Sequence, residues 1–368
     1  MTPGLIALRA LIVGFIVTLV VVGGFAYTTL LERKVLARLQ HRVGPNRAGY
    51  IPFPRRGGKE RRLLGGILQP IADAVKMFLK EDPTPNEVDK PVYNLAPMLA
   101  VISAILLLAV IPWAPALNIF GVQFSPYFAI APGVNVGVLY ILAVTSIGVY
   151  GIFLAGWASN NKYAVLGGIR SSAQMISYEL ALGLSLLIPI MLADSMDLGV
   201  IVEAQRGGWF VFLQPIAAAV FCIAALAELA RHPFDLVEAE QELSAGFNVE
   251  YAGMRFGMFF MAEYMKMVIL SALAAVFFFG GYLGPFVDQF PALGFVYITI
   301  KIILFLFLMI WVRASWPRFR YDQLMSFGWK VLLPISVLNF MITAFFIVLF
   351  EEGILQPIVD SIRRFFIG

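Results

Sequence analysis

Leu11 to Leu31 reads LIVGFIVTLVVVGGFAYTTLL, an apolar run with no charged residue. At about 1.5 Å per residue, a helix of this length crosses a hydrocarbon core of about 30 Å. A membrane strand would alternate in polarity every second residue, and this run does not. It is also too long, and too poorly supplied with a small-residue cleavage site, for a signal peptide. The same pattern returns at Leu95–Ile111, Gly133–Gly156, Ser172–Leu192, Trp209–Ala227, Gly257–Tyr282, Leu293–Val312 and Val331–Phe350. The expected fold is therefore an all-α integral membrane protein with about eight transmembrane helices plus interfacial amphipathic helices.

Composition agrees and excludes other classes. Across 368 residues, 60% are hydrophobic and 14% charged, whereas soluble domains carry about 25% charged residues. The formal charge of +4 comes with no basic stripe on a soluble domain, so nucleic acid is not an expected partner. The lone Cys222 excludes an internal disulfide or a thiolate-held cluster within this chain. With only His41 and His232 available, and no HExxH, Walker A or GxGxxG pattern, no metal or nucleotide site is expected.

Charge asymmetry sets the expected orientation. The first, third, fifth and seventh connections hold 13, 2, 2 and 4 Lys and Arg residues, against 0, 1 and 0 in the second, fourth and sixth. The positive-inside rule places the odd connections in the cytoplasm and both termini outside, although Arg363 and Arg364 run against it. Within the first connection, Ile67–Lys80 puts Ile67, Leu68, Ile71, Ala72, Val75, Phe78 and Leu79 on one helical face, and Gln69, Asp73, Lys76 and Lys80 on the other. Such a helix lies along the membrane interface. The tail from Glu351 to Gly368 repeats this pattern. With no internal repeat, residues 1–368 read as a single integral membrane domain.

Against this apolar background, Ala227–Gly253, AELARHPFDLVEAEQELSAGFNVEYAG, carries Glu228, Asp235, Glu238, Glu240, Glu242 and Glu250. Like charges this close resist ionising together, which suits proton movement. A solvated acidic connection over about 228–256 is the competing reading. The interleaved Phe234, Leu236, Val237, Leu243, Phe247, Val249 and Tyr251 favour a segment packed against protein and dipping into the membrane. Glu179, Glu263, Lys266 and Lys301 fall inside predicted spans, where an unpaired charge costs about 2.5–3.5 kcal/mol at mid-depth. Glu263 and Lys266 are spaced for an intrahelical pair or for a proton relay. Glu179 lacks a cation within a turn, which points to function. Lys301 reads as half of an ion pair with another helix, its role open. The cations around Glu32 and around Arg313 suit either headgroup anchoring or partner docking.

The motifs ERKVLARLQHRVGPNRAG from Glu32, LQPIADAVKMFLKED from Leu68, GWASNNKYAVLGGIRSSAQMISYE from Gly156, the acidic stretch, FFMAEY from Phe259 and RASWPRFRYDQLM from Arg313 are spread over most of the chain. Together they resemble the family of membrane H subunits of respiratory complex I, the NADH:quinone oxidoreductase, whose mitochondrial members are called NADH dehydrogenase subunit 1. The resemblance implies a multi-pass protein of the bacterial cytoplasmic membrane that forms part of a quinone chamber and is not catalytic alone. Quinone would be the substrate, with no cofactor on this chain. Flavin and iron-sulfur clusters would reside in partners: soluble subunits carrying the terminal cluster, with small and antiporter-like membrane subunits alongside. It further implies that Arg33, Arg42, Asp73, Arg231, Arg318 and Arg320 surround the quinone cavity or a partner contact, and that Glu179, Glu228, Glu240, Glu242, Glu250 and Glu263 couple reduction to proton translocation.

One departure stands out: about 14 residues between Gly49 and Gly65, including Arg55, Arg56, Lys59, Arg61 and Arg62, are absent from typical relatives. This basic segment lies beside the implied quinone entrance and suits contact with headgroups. The nearest alternative function is the equivalent subunit of a membrane-bound hydrogenase or another ion-pumping dehydrogenase. RFRYDQLM from Arg318 and the intact acidic block favour complex I. A stand-alone carrier, often built on inverted repeats, and a purely structural anchor are the remaining alternatives.

Overall fold

In hydrocarbon a backbone must satisfy its own hydrogen bonds, and an apolar segment does so as a helix. The computed structural model describes residues 3–46, 48, 51–53, 61–63, 66–119, 122–236 and 246–352. Helices α1 (Pro3–Leu39), α2 (Gln69–Leu79) and α3 (Lys90–Leu107) are followed by α4 (Gly137–Ala158) and α5 (Lys162–Ala193). Short α6 (Leu198–Ala204) and α7 (Phe210–Leu213) lead to α8 (Pro215–Glu228), α9 (Gly253–Phe278) and α10 (Leu293–Ser315). Then α11 (Tyr321–Phe327) runs through a π-turn at Gly328–Leu332 into α12 (Leu333–Glu351).

Among the described residues seven helices are long and apolar enough to cross a membrane: α1, α3, α4, α5, α9, α10 and the continuous segment Tyr321–Leu349. The remaining predicted span, Trp209–Ala227, is a broken pair. Gln214 leaves helical geometry at φ −133° and ψ 61°, and Pro215 opens α8, where its missing N–H does no harm. The chain is thus a multi-pass helical membrane protein of about eight spans. The expected interfacial helix is α2, whose Ile71, Val75, Phe78 and Leu79 are all exposed, the arrangement of a helix whose apolar face meets lipid. The tail beyond residue 352 lies outside the described residues.

Most of α9 is buried, 83% of its apolar window against 17% for α1, so α9 is the central post of the bundle. The odd and even connections meet at opposite ends. At one end Asn161 of the third bonds Glu250 of the fifth, and Arg255 bonds Thr84 of the first. At the other, Tyr127 of the second donates to Asp197 of the fourth at 2.6 Å, and Arg206 of the fourth meets Asp288 of the sixth at 2.8 Å. The first of these, which carries most of the arginines, is the Arg-rich end of the bundle.

Among the described residues two antiparallel strand pairs interrupt the helical pattern. In the basic segment β1 (Ile51–Phe53) pairs antiparallel with β2 (Arg61–Leu63), Phe53 opposite Arg61; Arg55, Arg56 and Lys59 lie outside the described residues. At the opposite end β3 (Ala114–Ile119) pairs with β4 (Val122–Phe128), with a register shift between Pro115 and Leu117.

Candidate functional site

The turn after α8 delivers Arg231 into the bundle. Ala230 takes a left-handed φ of 50°, and Phe319 N–H donates to the Pro233 carbonyl at 3.1 Å, tying the turn to the segment before α11. The Arg231 guanidinium stacks over Tyr264, its Cζ 4.4 Å from the ring centroid. Its Nε lies 2.6 Å from Glu263 Oε1, as a close ion pair, and its Nη1 lies 3.4 Å from Glu32 Oε1. Glu32, 3% exposed, also receives Arg313 on Oε1 and the Tyr264 hydroxyl on Oε2 at 2.6 Å. Two guanidinium groups and two carboxylates from α1, the post-α8 turn, α9 and α10 thus neutralise one another. Desolvated charges persist when geometry supplies both pairing and hydrogen bonds.

One turn earlier Glu228 is only 2% exposed, and neither of its oxygens has a hydrogen-bond partner among the described residues. It lines a cavity of about 50 Å³ with Asn248, Glu263, Lys266, Phe247 and Phe259, room for about three waters. Lys266 and Glu179 are the charged groups that act on Glu228. Lys266 reaches toward Gly148 and Ser103, where any Cβ on Gly148 would collide with its ammonium. The intrahelical reading of Glu263 and Lys266 is therefore replaced: Glu263 pairs with Arg231, and Lys266 turns into the cavity region. Glu179 on α5 is held by two α4 hydroxyls, Thr145 Oγ1 at 3.0 Å and Ser146 Oγ at 2.6 Å. Lys301 forms no ion pair with a neighbouring helix among the described residues; it donates to the Gly281 and Leu283 carbonyls at 2.7 and 2.9 Å.

Glu250 sits closer to the Arg-rich end. Its carboxylate accepts from Asn161 Nδ2 at 2.7 Å, and its carbonyl accepts from Tyr93 OH at 2.6 Å. Tyr251 stacks on Tyr93 with centroids 4.2 Å apart, and burial pushes its phenol well above the ordinary range. Glu240 and Glu242, with Glu238, lie outside the described residues.

The arginines singled out in the sequence divide. Arg231 joins the buried network. Arg33 pairs with Asp73 at 2.9 Å, fastening α2 to α1, while Gln69 donates to the other Asp73 oxygen. Arg42 is exposed and bonds Gln40, and Arg320 is exposed and grips Asp322. Arg318 has a buried Nη2. The sequence reading missed Glu32 and Asn248 as site residues. Glu32 looked like part of a cationic anchor; the signal was an acid set directly before Arg33 and Lys34 at a span's end.

Fold and site together define a polytopic membrane protein with buried carboxylates arranged beside guanidinium groups and a small internal cavity. A profile of the NADH dehydrogenase family matches residues 12–344. The chain is 47% identical over 342 residues to an H subunit of the NADH-quinone oxidoreductase of Syntrophobacter fumaroxidans, the one numbered 2, covering 93% of this chain and 96% of that one. To the NADH-quinone oxidoreductase H subunit of Thermomicrobium roseum it is 47% identical over 342 residues, covering 90% and 94%. The H subunit numbered 1 in Geobacter metallireducens shares 48% over 324 residues, covering 88% and 92%. The chain belongs to the NADH dehydrogenase family.

Proposed function

We propose that this chain is the H subunit of a proton-pumping NADH:quinone oxidoreductase, contributing to the quinone chamber and coupling quinone reduction to proton translocation. In this reading it acts within a complex of the bacterial cytoplasmic membrane, with the Arg-rich end and its soluble partners in the cytoplasm and both termini outside. Adjacent small and antiporter-like membrane subunits complete the assembly. Reduction of quinone to quinol takes up two electrons and two protons; the electrons come from the terminal iron-sulfur cluster of a soluble partner. Arg33, Arg42, Asp73, Arg231, Arg318 and Arg320 surround the chamber or meet that partner, and α2 borders the entrance.

Negative charge created in the chamber before protons arrive favours protonation of nearby carboxylates. Glu250, Glu240, Glu242, Glu228, Glu263 and Glu179 form the coupled set, in which a proton gained by one changes the affinity of its neighbours. The observation that carries the reading is Glu228, a buried carboxylate without a hydrogen-bond partner among the described residues, on a cavity beside Lys266. A residue so placed has no stabilising part to play, since an unpaired buried acid is unfavourable; holding and releasing a proton supplies its purpose. The test is Glu228→Gln in the assembled complex, followed by NADH-driven quinone reduction and proton uptake in vesicles. Assembly is expected to survive while coupled turnover falls; full pumping by the variant would overturn the reading.

A further inference from the structure

At the Arg-rich end a depression of about 510 Å³ is lined by residues 85–87 and 159–162 and by Glu250. Apart from Pro85 its lining residues are polar or charged, in contrast with the several phenylalanines that line the inner cavity. One short stretch, residues 246–253, contributes to both hollows as a shared partition: Phe247 and Asn248 to the inner one and Glu250 to the depression. Asn248, two residues from Glu250, lines the inner cavity, and its Oδ1 is buried with no hydrogen-bond partner among the described residues. Tyr251 stands beside them: it touches Phe259, a wall of the inner cavity, edge to face at 5.0 Å, and interacts with Ser159, a wall of the depression. Gly246 at φ 61° and Gly253 at φ 51° bound the partition on its two sides.

Building on the proton-coupling reading, we propose that the depression is the aqueous port through which the buried carboxylates are loaded, with Glu250 as the loading residue and the partition at Asn248 and Tyr251 separating it from Glu228. The depression is large enough to hold bulk-like water, and its polar lining keeps it wet. Asn161 holds the Glu250 carboxylate in place by its 2.7 Å hydrogen bond. A proton taken from water by the Glu250 carboxylate leaves hydroxide in the bulk phase. It passes inward along water that the Asn248 amide oxygen orients by accepting a hydrogen bond, and reaches the Glu228 carboxylate, leaving Glu250 ready to take the next proton. No electron moves in this step. Tyr251 stays neutral throughout because its phenol is held protonated by burial, so it serves as a wall and not as a base.

The experiment uses the intact complex in vesicles with the Arg-rich face outward. Asn86→Cys, on the exposed rim, is treated with a bulky, membrane-impermeant cationic thiosulfonate, against the untreated variant and the treated wild type. Reaction at residue 86 is expected, with NADH-driven proton uptake falling about a hundredfold, the lower end of the range for losing a placed proton-transfer group. Glu250→Gln alone is expected to give the same loss, and labelling Asn86→Cys in the Glu250→Gln background to add nothing further, as for two changes in one path. Labelling that leaves turnover unchanged overturns the port. Failure of the rim cysteine to react also overturns it, since a partner then covers the mouth. A wild-type complex that lacks NADH-dependent quinone reduction would instead sink the underlying functional reading.

Discussion

Arg231 and Glu263 approach to 2.6 Å between Nε and Oε1 at the point where the post-α8 turn meets α9. The contact joins a residue of the acidic connection to the central helix, and Glu32 completes it from α1. Replacing Arg231 with Met removes the guanidinium that pairs with Glu263 and approaches Glu32, and leaves Arg313 on Glu32. Breaking a buried pair from one side costs about 3–5 kcal/mol, and the part-exposed Glu263 places the expected loss near the lower figure. Thermal unfolding of the purified complex measures it; an unchanged midpoint would show that the network is dispensable.

Gly148 is the floor on which the Lys266 ammonium rests, and a Cβ there would also come within 3.0 Å of Ser103 Oγ. Gly148→Ala is expected to displace the lysine, destabilising by about 1–3 kcal/mol as overpacking does, and to lower coupled turnover. Adding Lys266→Ala to Gly148→Ala should recover the stability, since the two changes share one clash. A double variant no more stable than Gly148→Ala would refute the contact.

Asn161 has two tasks: its Oδ1 accepts from Tyr163 N–H at 3.0 Å to cap α5, and its Nδ2 holds Glu250. Asn161→Ala is expected to lose about 1 kcal/mol from the cap. Asn161→Asp keeps the cap but sets a second acid against Glu250. If the Glu250 contact matters, Asp restores thermal stability and not proton uptake, and equal uptake by both variants would show that only the cap counts.

On α2 the exposed Phe78 and Leu79 face lipid in this reading. Phe78→Glu puts a charge into that surface and is expected to raise the apparent KM for long-tailed quinones severalfold while sparing short water-soluble ones. Arg33→Ala, by contrast, breaks an ion pair whose members are 51% and 31% exposed, so stability should move by less than about 1 kcal/mol. A Phe78→Glu enzyme with unaltered KM for every quinone would remove α2 from the entrance.

The spanning helices were legible because lipid enforces a strong rule: a long apolar run has one stable backbone solution. Their ends were less so. α5 begins ten residues before its predicted apolar run, at Lys162, because hydropathy reports the thickness of hydrocarbon while backbone hydrogen bonding continues into the interface. The break at Gln214 was marked by Pro215, yet the apolar residues on both sides concealed it. Asn161 and Asp197 cap α5 and α6 through side-chain acceptors, local chemistry that the sequence displays.

By itself the sequence determined that this is a helical membrane protein, which apolar runs form its long helices apart from the broken Trp209–Ala227, and that its acids crowd into one connection. Each follows from composition and spacing, properties that act along the chain. Only the tertiary structure decided the partners. Glu263 was spaced for Lys266 and pairs with Arg231; Lys301 binds carbonyls; Glu32 joins Arg231 and Arg313, 199 and 281 residues away. The reason is that desolvation makes each buried charge seek the nearest complementary group in space, and helix packing, not sequence separation, sets that distance.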